Sequence, residues 1–104
     1  MIVKINTDKT LEGHEKRQDY FKAQMENELK HYQSHITRIE AHLKDENGSK
    51  EGVNNISCLL EARLEGRQPI VVSDKADTFE LAMSGATDKM KNSLGKIIGK
   101  LQNH

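Results

Sequence analysis

The chain has 104 residues, of which 35% are hydrophobic and 4% aromatic, and its 16 basic and 16 acidic side chains give a formal net charge of zero. This balance disfavours a nucleic-acid-binding protein that depends on bulk positive charge. The length predicts one domain spanning residues 1–104. Because no run approaches the roughly 18 apolar residues of a membrane span and the amino terminus lacks a signal-like apolar region, we expect a cytoplasmic protein.

The first third of the chain predicts a strand followed by a helix. Residues 2–6 have a short β pattern, and residues 7–13 form a polar connection. From about His14 to Gln33, apolar side chains recur at intervals of four, four and three residues, namely Phe21, Met25, Leu29 and Tyr32. That spacing predicts an amphipathic helix with a narrow apolar stripe.

At Ile36 the apolar period changes to two, which predicts half-buried strands. The first of these strands points Ile39, Ala41 and Leu43 to one side, and residues 58–65 alternate in the same way. A tight turn at residues 66–68 leads to a further strand at 69–73, whereas residues 45–55 have turn chemistry and predict a mobile hairpin loop. Cys58, the single cysteine, falls on the inward side, so we interpret it as a core thiol in a reducing compartment.

The last predicted element is a helix with a basic flank. Asp77 is the predicted N-cap, and Glu80 completes a capping-box spacing. An apolar face follows, made of Phe79, Ala82, Met83, Ala86, Met90, Leu94, Ile97, Ile98 and Leu101. At roughly 100° per residue, three lysines project within about 40° of one another beside that face. These are Lys89, Lys96 and Lys100, with Asn92 on the polar surface between them.

The order of elements predicts an α+β fold of the form β-α-β-β-β-α. Each strand supplies one apolar face and each helix one apolar stripe, so both helices should pack on one face of a four-stranded mixed sheet. The last three strands should be antiparallel because short turns join them, and the first should lie parallel to a neighbour. The second face of the sheet should be open to solvent.

Four segments, residues 36–48, 60–70, 76–78 and 88–90, resemble the ribosome hibernation promoting factor family, also called the sigma-54 modulation or ribosome-associated inhibitor family. The resemblance implies the fold predicted above. It also implies binding to the small ribosomal subunit in the groove where transfer RNA and messenger RNA lie, with repression of translation or ribosome hibernation in stationary phase or stress. The chain is similar to the short form of the family.

The resemblance implies ribosomal RNA contacts at the lysines of the last helix. Lys89, Lys96 and Lys100 match basic positions of the family, and Asn92 lies between them. Lys22, Lys30 and His35 complete the predicted set, although Met25 and Glu28 stand where relatives often carry lysines.

Enzyme and cofactor sites are disfavoured by the sequence. No CxxC or HExxH spacing is present, and His31 and His35 have no third ligand in register. Gly48 and Gly52 are not followed by the helix that a phosphate-binding loop requires. We therefore expect no catalysis, no cofactor, no metal and no small-molecule substrate.

Two other binding functions are open alternatives. A protein-binding module would use an edge strand or the polar sheet face, which carries Glu40, His42, Lys44, Glu61, Arg63 and Glu65. A double-stranded-RNA binder has a similar order of elements, but the acidic start of the last helix, at Asp77 and Glu80, argues against it. Weak self-association is also left open.

Overall fold

The structure, a computed structural model, describes residues 1–7, 15–46 and 56–102. At residues 15–17 and 100–102 it describes only the backbone. Its strands and helices follow the predicted order. The strands are β1 (Ile2–Thr7), β2 (Ile36–Asp45), β3 (Ile56–Leu64) and β4 (Ile70–Ala76), and the helices are α1 (Glu15–Glu28) and α2 (Phe79–Gln102).

The four strands form one mixed sheet in the order β1-β2-β3-β4. β1 is parallel to β2, because α1 carries the chain back across the sheet, and the other two pairs are antiparallel. The register sets Ile39 beside Ala62 and Leu60 beside Val72, so the apolar faces of neighbouring strands coincide. The predicted α+β fold is confirmed.

Both helices cover the same face of this sheet. Alternate strand residues point toward them, and one continuous core joins Phe21 and Met25 of α1, Ile39 and Leu60 of the sheet, and Met90 of α2. The other buried core residues are Val3, Leu29, Ile36, Ala41, Leu43, Ile56, Cys58, Ala62, Leu64, Ala82, Met83, Ala86, Leu94 and Ile98. Cys58 is therefore a core thiol, as predicted.

The first helix is shorter than the predicted segment from His14 to Gln33. α1 ends at Glu28, and a 3₁₀ turn at Lys30–Tyr32 follows it. The Tyr32 N–H donates to the Leu29 carbonyl at 2.9 Å, and the His35 N–H donates to the Tyr32 carbonyl at 2.9 Å. These tighter bonds lead the chain into β2 while Leu29 stays fully buried. His14 lies outside the described residues.

The start of α2 differs by one residue from the prediction. The Leu81 N–H donates to the Thr78 hydroxyl oxygen at 3.1 Å, and the Ala82 N–H donates to the Thr78 carbonyl at 3.0 Å. Thr78 is thus the N-cap, and the prediction of Asp77 in that role is wrong. The residue three positions after this cap is Leu81, so Glu80 does not occupy the position that the predicted capping box requires.

Strand ends also differ from the prediction. β4 continues to Ala76, three residues beyond the predicted end, and β3 begins at Ile56. Asp45 belongs to β2. Most of the predicted mobile loop, residues 47–55, lies outside the described residues.

Candidate nucleic-acid interface

One side of α2 carries the lysines singled out from the sequence. Lys89 and Lys96 lie seven residues, or about two helical turns, apart, with Asn92 between them, and all three side chains are exposed. We call these three residues the lysine flank. The backbone of Lys100 continues α2 by one further turn on the same side, and its side chain lies outside the described part.

Lys89 reaches from this flank to the edge of the sheet. Its Nζ donates to the Ser73 carbonyl at 2.7 Å and to Asp74 Oδ1 at 3.2 Å. The Lys89 side chain is still 54% exposed. An ammonium group has three N–H donors, so one remains for a further acceptor. The contact fixes the position of the Lys89 ammonium and at the same time offsets much of its charge.

Asp74 is held between the sheet and α2. It lies on the inward face of β4, beside Cys58 in the register, and its carboxylate lies against Gly85 of α2. A Cβ atom built on Gly85 would overlap that carboxylate, so only glycine fits there. Burial, together with the charge of Asp74, raises the pKa of the Cys58 thiol to about 12.

Sequence reasoning missed the role of Asp74, although a signal for it exists. The alternation that makes Ile70 and Val72 inward continues to Asp74 and Ala76. An aspartate on the inward side of a strand requires a partner, and Lys89 and Gly85 provide the donor and the space.

Lys96 differs from Lys89 in its surroundings. Its side chain is exposed and forms no ion pair with a carboxylate within residues 1–7, 15–46 and 56–102. On the opposite side of α2, Lys91 donates to Glu28 of α1 at 3.0 Å. That hydrogen bond, with the Glu28 charge, raises the pKa of Lys91. Lys91 therefore points away from the lysine flank, as its helical angle predicts.

The remaining predicted contact residues belong to a different part of the surface. Lys22 is exposed on α1, and Lys30 is exposed in the 3₁₀ turn that follows it. His35 is half-buried and lines a cleft with Arg67 and Ile98. α1 packs on the Lys91 side of α2, so the structure separates Lys22 from the lysine flank, whereas His35 lies at the end of the sheet beside Ile98 of α2.

The outer face of the sheet is charged, but its charges are paired along the strands. Arg38 pairs with Glu40 within β2, and Arg63 pairs with Glu61 at 3.1 Å within β3. Across the strands, Glu40 lies beside Glu61. Glu61 is thus paired with Arg63, two residues along the same strand, and not with a residue of β2.

No group of three or more metal-ligating side chains is found in the described part of the chain. None of the helices in that part is both long and apolar enough to span a membrane.

The sequence matches the model of the family described as "Sigma 54 modulation protein / S30EA ribosomal protein" over residues 5–102. The chain belongs to this family. The S30EA family consists of ribosome-associated modulation factors and is not an enzyme family. No curated protein matches the sequence.

Among solved structures, the chain is similar to the crystal structure of the Thermus thermophilus Protein Y N-terminal domain. The two share 17% sequence identity, with a TM-score of 0.71 over 93% of this chain and 99% of the other. This likeness shows that the S30EA chain has the same fold as that domain.

Proposed function

We propose that this protein binds the small ribosomal subunit in the groove for transfer RNA and messenger RNA, and represses translation or promotes ribosome hibernation in stationary phase or stress. The family match over residues 5–102 is the observation that carries the proposal. A protein of this function works in the cytoplasm, where ribosomes are.

The proposed mechanism is occupancy of the groove, with no chemical step. Lys96 is the foremost candidate for a phosphate contact because it is exposed and has no carboxylate partner in the described part of the chain. Lys89 adds its remaining N–H in a fixed direction, and Asn92 supplies an amide between them. Lys100 extends the same side of α2. Each neutralised phosphate releases condensed counterions, which favours binding at low salt.

Lys22, Lys30 and His35 are proposed as a second set of contacts. Lys22 and Lys30 lie on α1 and the turn that follows it, and His35 lies at the end of the sheet, so these residues would meet a different stretch of RNA from the lysine flank. Acidic residues of α1, such as Glu26 and Glu28, reduce the positive charge there. We expect this second set to contribute less to affinity than the flank.

Charge reversal on α2 tests the proposal. The variant Lys89→Glu/Lys96→Glu/Lys100→Glu should no longer co-sediment with small subunits. Because Lys89→Glu places a carboxylate beside Asp74 and perturbs that contact, Lys96→Glu/Lys100→Glu is tested in parallel and should bind at least tenfold more weakly than the wild type.

A matched control carries the same charge change elsewhere. Lys4→Glu/Lys44→Glu/Lys75→Glu alters three exposed lysines of the sheet, and it should keep most of the binding. Circular dichroism melting curves check that all variants fold. Undiminished co-sedimentation of both α2 variants would reject the assignment of the flank.

A protein-binding module is the second candidate, and an exposed apolar pair favours it. Val71 is 54% exposed and Leu59 39% exposed, and the register makes them diagonal neighbours on the outer face, next to β4's outer edge, which pairs with no other strand of the described residues. Gradient sedimentation of stationary-phase lysate separates the two functions. Ribosome binding predicts the chain with small subunits or monosomes and its release at high salt. A protein module predicts salt-tolerant complexes without RNA.

A further inference from the structure

We propose that a cleft at one end of the sheet receives a single unstacked base of RNA. The inference rests on the proposed ribosome function and names a second kind of RNA contact within it. We call this the end cleft, and its lining consists of Ser34, His35, Leu64, Glu65, Arg67 and Ile98.

Three chain segments converge to form the end cleft. The turn before β2 brings Ser34 and His35, and the turn after β3 brings Glu65 and Arg67. The second turn is closed by the Arg67 N–H, which donates to the Leu64 carbonyl at 3.3 Å, and by Gly66, whose φ of 73° suits glycine. The last turns of α2 supply Ile98. The cleft is thus built on the ends of packed elements.

The end cleft has an apolar floor. Leu64 is 7% exposed and Ile98 is 3% exposed, and both belong to the hydrophobic core. The cleft has a volume of about 180 Å³. Sites for drug-sized ligands occupy roughly 300 to 1,000 Å³, so this space suits one flat ring system and not a whole nucleotide cofactor.

The rim of the end cleft has the side chains that hold splayed bases in RNA complexes. Imidazole rings and guanidinium planes stack on bases, and His35 and Arg67 bring one of each. Arg67 is exposed and forms no ion pair with any carboxylate in the described ranges, so its guanidinium plane is available. Ser34 and Glu65 add a hydroxyl group and a carboxylate for hydrogen bonds to a base edge.

The rim also predicts which bases are preferred. Glu65 accepts hydrogen bonds, so it matches bases that carry an exocyclic amino group. Guanine, adenine and cytosine have that group, whereas uracil offers only its ring N3–H as a donor. The apolar floor and the carboxylate both disfavour a bare phosphate as the ligand, because a phosphate would be repelled by Glu65 and could not use Leu64 and Ile98.

Nucleotide titration of the whole protein, followed by amide chemical shifts, tests this inference. The probes are guanosine, adenosine, cytidine and uridine monophosphates, with ribose phosphate as the probe that lacks a base. We expect saturable shifts at Ser34, His35 and Arg67 with the three amino-bearing nucleotides, weaker shifts with the uridine nucleotide, and none that saturate with ribose phosphate. Equal shifts with ribose phosphate would show a phosphate site and overturn the inference, as would the absence of shifts at these residues.

A pair of double variants locates the effect. His35→Ala/Arg67→Ala should weaken nucleotide binding about tenfold, which is the effect expected for loss of base stacking. His42→Ala/Arg63→Ala removes the same side-chain types from the outer sheet face and should change nothing. Equal effects of the two double variants would contradict the assignment of the end cleft.

Ribosome co-sedimentation separates this inference from the proposed function. If the protein binds small subunits but the end cleft shows no nucleotide shifts, only the inference fails. If the cleft binds nucleotides but the protein does not bind ribosomes, the proposed function fails and the cleft remains a base-binding site.

Discussion

The contact between Asp74 and Gly85 predicts that the effect of Gly85→Ala on stability changes sign when Asp74 is replaced. Replacing Gly85 by Ala in a helix interior normally stabilises a protein by about 1 kcal/mol. Here the added Cβ would overlap the Asp74 carboxylate and push it away from Lys89. When Asp74 is first replaced by Ala, the obstacle is removed and the ordinary gain should return.

The magnitudes follow from three contributions. Overpacking costs about 1–3 kcal/mol. Loss of the Asp74–Lys89 pair adds at most about 1 kcal/mol, because Lys89 is more than half exposed. Set against the helix-propensity gain, Gly85→Ala should lower the free energy of unfolding by up to about 3 kcal/mol in the wild type. In the Asp74→Ala background the same substitution should raise the free energy of unfolding by about 1 kcal/mol, so the two sites are coupled by roughly 1–4 kcal/mol.

Urea denaturation of the wild type, Gly85→Ala, Asp74→Ala and the double variant measures the coupling. In thermal melting curves the midpoint should shift by about 4 °C per kcal/mol. Gly99→Ala is the matched control, because a Cβ at Gly99 meets no atom within 4 Å. Gly99→Ala should stabilise the protein or leave its stability unchanged. The effect should be the same in the wild type and in the Asp74→Ala background. If Gly85→Ala stabilises the wild type as much as it stabilises Asp74→Ala, the described packing of Asp74 against α2 is wrong.

Three further predictions concern the cap of α2, the core thiol and one ion pair of the sheet. Thr78→Ala should lower the free energy of unfolding by about 1 kcal/mol in urea denaturation, whereas Thr78→Ser should keep it, and equal losses would reject the cap. Because the pKa of Cys58 is raised to about 12, the thiol should react with iodoacetamide at pH 8 only as fast as the core opens; reaction at the rate of a free thiol would contradict its burial. The hydrogen bond from Lys75 lowers the pKa of Glu46, so this pair stabilises the fold above the ordinary carboxyl pKa and ceases to do so as the pH falls through the lowered value. Lys75→Ala should raise the pKa of Glu46 in an NMR titration, and an unchanged pKa would remove Lys75 as the cause.

The strands were predictable because alternation reports burial directly. Ile39, Ala41 and Leu43 have the predicted orientation, and so do Cys58 and Leu60. The end of β4 was missed because Asp74 and Lys75 are polar, so the apolar alternation stops before Ser73. The strand continues because α2 provides a partner for Asp74, which is a contact that local sequence does not contain.

The N-cap of α2 was missed for a local reason. Asp77 and Thr78 are adjacent, and both side-chain types accept hydrogen bonds from a first turn. The choice between them depends on where the chain leaves β4 and on how Phe79 packs against the core, and neither is encoded in the capping pattern.

Helical angles placed the lysines of α2 correctly but could not predict their electrostatics. Lys89 and Lys96 are nearly equivalent by angle, yet one is bonded to Ser73 and Asp74 while the other has no such partner in the described ranges. That difference depends on which turn of α2 lies against β4. It follows only from the three-dimensional register of the two elements.

The salt dependence of ribosome binding should therefore be modest. Lys96, Lys100 and the partly neutralised Lys89 give at most three phosphate contacts on α2, and the second set at Lys22 and Lys30 is expected to add little, so log affinity should fall against log salt with a slope of roughly −2 to −3. Between 50 and 200 mM salt this is a loss of about 15- to 65-fold, far below the roughly 10³–10⁵-fold loss of proteins that make six to ten contacts. Filter binding to small subunits across this range measures the slope.

A slope of about −5 or steeper would require additional cations and would move the interface toward Lys22 and Lys30 on the α1 side. A slope near −2 means that a chain with no net charge obtains most of its affinity from contacts that salt does not screen. Shape and base stacking are such contacts, and the end cleft, with its apolar floor and its stacking groups at His35 and Arg67, is the place on the described surface suited to provide them.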